Sequence, residues 1–109
     1  MTQFMLSVHH DGAPAYQSDE DMQAAFAAVG AFNAAVQEAG ILVYVNALQP
    51  PETALMVSPD GSRVPSSVSG RQLGGFWIID VPSQEEAADV AHRAAVACGQ
   101  SIEVRQLEM

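Results

Sequence analysis

The chain has 109 residues, one domain by length, and folding at that size buries about 65% of the surface of the unfolded chain. Thirteen acidic residues against four basic ones leave a net charge of -9, which repels phosphate backbones and anionic headgroups, so nucleic acid and membranes are not expected partners. All four basic residues are arginine, which excludes a Schiff-base lysine and the phosphate-cradling lysine of a P-loop; a single cysteine, Cys98, excludes an internal disulfide and a multi-thiolate zinc site.

Apolar residues make up 49% of the chain without a long charge run, the composition of a globular domain. No basic residue precedes an apolar run between Met1 and Asp11, and the longest mostly apolar stretch, Ile41 to Leu48, is too short to cross a bilayer. The expectation is a soluble cytoplasmic protein.

Residues 3–9 alternate, with Phe4, Leu6 and Val8 on one parity and Met5, Ser7 and His9 on the other, which predicts a half-buried first strand. His10-Asp11-Gly12-Ala13-Pro14 predicts a turn after it. Ser18 is placed to cap a helix over about 19–39: its hydroxyl can accept from first-turn amides, and Asp19, Glu20 and Asp21 sit at the positive end of the dipole. Met22, Ala25, Phe26, Val29, Phe32 or Asn33, and Val36 form its apolar stripe, and Gly40 its stop.

Ile41 to Leu48 reads as the second strand, with Ile41, Val43, Val45 and Ala47 on one face and Leu42, Tyr44, Asn46 and Leu48 on the other. Pro50-Pro51 ends it. Thr53 to Val57 and Arg63 to Val64 flank Pro59-Asp60-Gly61 and predict a small hairpin, followed by an exposed loop over 65–70. Gly74 to Val81 reads as the central strand. Ser83-Gln84-Glu85-Glu86 is a capping box opening a helix to about Cys98, with Ala87, Val90, Ala91, Ala94 and Cys98 as its stripe and Gly99 as its stop. Ser101 to Leu107 alternates again as the last strand.

This order gives an α+β fold of the ferredoxin-like, split βαβ type: a four-stranded antiparallel sheet, two helices on one face, and a small hairpin excursion. The other face has no cover of its own. If the more apolar set of each strand faces the helices, Ser7, His9, Tyr44, Asn46, Glu103 and Arg105 lie on the open side with Met5 and Leu42. Trp77 is not assigned by parity, because both faces of its strand are apolar. Such a face exposes more apolar area than a monomer normally leaves in water, which predicts a sheet-to-sheet homodimer.

The candidate chemistry lies on that face. His9 is the candidate acid–base group, because imidazole titrates near neutrality and the first and last strands should be neighbours, placing it near Glu103 and Arg105. Ser7, Tyr44, Asn46, Arg71, Trp77, Glu103 and Arg105 are the candidate ligand-binding residues, with Arg71 suited to a carboxylate; the competing reading makes His9, Glu103 and Arg105 dimer contacts, Arg71 a solvated loop charge and Trp77 core or interface. Neighbouring strand residues point to opposite faces, so His9, His10 and Asp11 do not converge as a metal site, and neither metal nor cofactor is expected. Asp89 and Arg93, spaced i, i+4, read as a surface helix pair.

Ala39-Gly40-Ile41-Leu42-Val43, Ala47-Leu48-Gln49-Pro50-Pro51-Glu52-Thr53-Ala54, Gln72-Leu73-Gly74-Gly75-Phe76 through Ile79-Asp80-Val81, and Val104-Arg105 together resemble the YCII-related family, specifically its DGPF branch. The resemblance spans most of the chain and implies a dimeric α/β barrel. The loop that names the branch is shortened here to Val64–Arg71, and the histidine of the His–Asp pair in the related YCII branch has no counterpart between Asp11 and Ala91. Two functions stand at this point. One is a homodimer binding a small aromatic or carboxylated metabolite between its sheets, with His9 for cofactor-free acid–base chemistry; the other is a non-catalytic ligand- or protein-binding regulatory module.

Overall fold

The computed structural model describes residues 2–11 and 16–108. In chain order it comprises β1 (Thr2–His10), α1 (Asp19–Glu38), β2 (Leu42–Ala47), a 3-10 turn (Pro51–Thr53), β3 (Leu55–Val57), β4 (Arg63–Pro65), β5 (Gln72–Val81), α2 (Gln84–Cys98) and β6 (Ile102–Gln106). Part of the turn expected over His10–Pro14, residues 12–14, lies outside the described residues.

The helix boundaries follow from their caps. Ser18 Oγ accepts from Asp21 N at 3.1 Å and Ser83 Oγ from Glu86 N at 3.2 Å, each satisfying a first-turn amide that has no partner within the helix. Gly40 and Gly99 take positive φ, 78° and 70°, and let the chain leave each helix.

Four strands pair antiparallel in the order β2-β5-β1-β6, and β3 pairs with β4 in a separate hairpin. The register places Phe4 opposite Ile79 and Leu6 opposite Trp77, and these side chains join Phe32 and Val36 of α1 and Ala87, Val90, Ala91 and Ala94 of α2 in one core. Both helices therefore lie on one face, and the fold is ferredoxin-like. Small residues on α2 allow that helix close to the sheet.

The structure changes three details of the sequence reading and settles the face of Trp77. A bulge between Leu42 and Tyr44 sets Leu42 opposite Ile79 on the helix face, while Val43 turns out to solvent; a bulge inserts one residue and shifts the parity of what precedes it. Trp77 is buried on the helix face, its ring edge-on to Phe32 at 5.6 Å. Phe26, placed in the helix stripe, is 62% exposed. Arg93 makes no ion pair with Asp89 among the described residues, because its guanidinium lies over the Phe32 ring, 5.6 Å from the centroid.

The radius of gyration, 15.5 Å, exceeds the ~13 Å typical of this chain length, and the molecule measures 43 × 39 × 19 Å. The β3–β4 hairpin makes its main contacts within itself and leaves Leu55, Met56, Val57 and Val64 between 55% and 62% exposed.

Candidate functional site

Two surfaces carry polar groups in an apolar setting, one on each side of the sheet. On the open face, Ser7 lies opposite Phe76 and Glu103, Met5 opposite Ile78 and Arg105, and Tyr44 and Asn46 opposite Ile78 and Phe76. Tyr44 packs tilted on Phe76 with ring centroids 6.0 Å apart, and Asn46 Nδ2 donates to Tyr44 Oη at 2.8 Å. Ser7 is buried among these neighbours.

One flank of this face is a charged cluster. Arg71 Nη2 lies 3.1 Å from His9 Nδ1 and 3.5 Å from Glu103 Oε2, while Arg105 Nη2 lies 3.0 Å from Glu103 Oε1. Guanidinium can only donate, so His9 Nδ1 accepts and the neutral ring carries its proton on Nε2. Sequence reasoning placed His9 near Glu103 and Arg105; the structure makes Arg71, from the loop before β5, the link between His9 and Glu103. The arginine side chains are 62% and 75% exposed, so these contacts orient the groups more than they stabilise the fold. Among the sequence-predicted candidates, Ser7, His9, Tyr44, Asn46, Arg71, Glu103 and Arg105 thus gather on or beside this face. Trp77 belongs to the opposite side.

That opposite side contains a cavity of about 600 Å³ between α1 and the sheet. Val8 and His10 come to it from β1, Val29 and Asn33 from α1, Val45 from β2 and Trp77 from β5; Tyr16, Cys98 and Gln100 also line it. Its size lies within the range of small-molecule sites, and its walls are mainly apolar. None of the described lining residues is Asp, Glu, Lys or Arg.

Most polar groups of the cavity wall already have partners. Tyr16 Oη donates to the Cys98 carbonyl at 2.8 Å and accepts from Gln100 Nε2 at 3.4 Å. Trp77 Nε1 donates to Asn33 Oδ1 at 2.7 Å. His10 stands over Gly74, where a Cβ would come within 3.1 Å of His10 Cδ2. A β-bulge lies here: Gly75 faces Val8 and Leu73 faces His9, leaving Gly74 as the extra residue.

His10 and Asn33 were missed as site residues, although the sequence carried a trace of both. His10 continues the Phe4, Leu6, Val8 parity, so it is the polar end of an apolar row. Asn33 occupies a position where the helical stripe allowed either Phe32 or Asn33. What separates a cavity-lining residue from a core one is a gap in packing, which periodicity does not encode.

No curated protein matches the sequence. The model of the YCII-related domain matches residues 2–108, nearly the whole chain, in agreement with the ferredoxin-like sheet and its two helices. The chain belongs to the YCII-related domain family.

Proposed function

We propose that this chain, as a cytoplasmic member of the DGPF branch, is a homodimeric binding protein for a small, mainly apolar aromatic metabolite, held in the cavity beneath α1. The cavity itself carries the reading: about 600 Å³, mainly apolar walls, and no Asp, Glu, Lys or Arg among the described residues that line it. A carboxylated ligand would meet no Arg or Lys among the described lining residues, which favours the aromatic over the carboxylated alternative.

Dimerisation is supported by the open sheet face. Met5, Phe76, Ile78 and Tyr44 form its apolar centre, and the exposed apolar hairpin adds to the surface a second copy would cover. Sedimentation velocity at micromolar protomer should give a dimer, and Ile78→Arg should give a folded monomer. A wild-type monomer under those conditions would end the dimer reading.

A second reading keeps the ligand at the sheet–sheet interface, with Ser7, Tyr44, Asn46, Glu103 and Arg105 as contacts, Arg71 binding a carboxylate and His9 as the acid–base group. The His9–Arg71–Glu103 cluster favours it. Thermal-shift screening of neutral aromatics and aromatic carboxylates against wild type, His9→Ala and Val29→Trp separates the two. Loss of hits only in Val29→Trp supports the cavity; loss only in His9→Ala supports the interface.

A further inference from the structure

We infer that the ligand of the cavity beneath α1 is an uncharged aromatic compound bearing a carbonyl group, which the Asn33 side-chain amide receives as a hydrogen-bond acceptor. The inference rests on the cavity reading above and adds the chemistry of the Asn33 donor, whose direction Trp77 sets. Carboxamide oxygen and nitrogen look alike in shape, so what an asparagine offers is decided by its partners. Here the partner is decisive. The Trp77 indole N–H can only donate, and it lies 2.7 Å from Asn33, so the oxygen of that amide must face it and the NH2 group must face elsewhere.

Trp77 is 4% exposed and edge-on to Phe32, which holds the indole, and through it the amide, in place. Among the described residues no protein group takes the two N–H donors of Asn33, and Asn33 lines the cavity. Of the other polar side chains lining it, Tyr16 and Gln100 are hydrogen-bonded to each other, and Tyr16 also donates to the Cys98 carbonyl. A donor oriented by Trp77 on a mainly apolar wall, with no Asp, Glu, Lys or Arg among the described lining residues, favours a neutral acceptor; a carbonyl supplies one and a hydrocarbon does not. His10, across from α1 on β1, can donate to or accept from a second polar group of the ligand.

The test is a matched series read by isothermal titration calorimetry at pH 8: 2-acetylnaphthalene, 2-isopropylnaphthalene and 2-naphthoate. Wild type should bind the ketone roughly tenfold more tightly than the hydrocarbon, the size of one net hydrogen bond in an apolar site, and should not bind the carboxylate measurably. Asn33→Asp keeps an acceptor for Trp77 but replaces the NH2 with an anionic oxygen, so the ketone-to-hydrocarbon ratio should fall to about one or below. Asn33→Leu, which lacks the donor without adding charge, should give the same ratio and guards against misfolding of the first variant. Equal binding of ketone and hydrocarbon to wild type, or an unchanged preference in both variants, overturns the inference while leaving the cavity reading standing. If none of the three compounds binds wild type, both fall.

Discussion

The Trp77–Asn33 hydrogen bond is the joint on which the cavity turns, and a double-mutant cycle measures it. Asn33→Ala leaves a buried indole N–H without its acceptor, which costs about 1–3 kcal/mol; alanine is the better helix former by about 0.5 kcal/mol, so the net loss should be ~1–2 kcal/mol. Trp77→Phe removes the donor and part of the ring and opens space beside Phe32, which adds a packing cost of its own. The double variant loses both partners, leaves no orphaned donor, and should therefore be more stable than the sum of the single losses implies, by about 1–2 kcal/mol. Urea unfolding followed by far-UV circular dichroism at one fixed protomer concentration is the assay, since the chain has a single tryptophan and a dimer's stability depends on concentration. A coupling below about 0.3 kcal/mol would mean that the bond does not hold the indole, and the orientation of the Asn33 amide would lose its basis.

Leu6 is fully buried at the centre of β1 opposite Trp77 and Val104, with strands on both sides that limit collapse, so Leu6→Ala should cost about 3–4 kcal/mol in the same unfolding assay; a loss under 1 kcal/mol would contradict its place in the core. A Cβ on Gly75 would lie 3.2 Å from Asn46 O and 3.4 Å from Ala47 Cα, both backbone atoms of the neighbouring strand, so Gly75→Ala should destabilise by about 1 kcal/mol despite stiffening the unfolded chain; a gain in stability would show that β2 yields freely. Asp60 Oδ1 accepts from the Ser62 amide at 2.9 Å, which holds its carboxyl below the ordinary aspartate range. Its contribution is present above the unfolded value and is lost as pH falls through the folded one, so the Ser62 amide resonance should titrate with a midpoint below that of an unstructured aspartate.

Strand and helix periodicity, caps and turn formers were enough to order the elements, because each is a local property written within a few residues. Ser18 and Ser83 capped the helices expected of them, the stripe from Ala87 to Cys98 is buried as spaced, and β1 lies beside β6 as the split βαβ pattern requires. Parity also brought Ser7, His9, Tyr44, Asn46, Glu103 and Arg105 to one face. It failed at Leu42, where a bulge resets the alternation, and it could not place Trp77, whose strand is apolar on both sides. Arg71 reaches His9 from a loop, and loop paths have no period to read.

The amino-acid order thus determined the fold class, the two helix boundaries and the polar residues of the bare sheet face, since repeat spacing and capping act between near neighbours. Only the folded chain decided that a 600 Å³ space remains beneath α1, and that Trp77, 44 positions along the chain, turns the Asn33 amide nitrogen away from itself. A void is the difference between what side chains fill and what the backbone encloses, and a donor's direction depends on a distant partner. Both are properties of three-dimensional closure, which no local pattern contains.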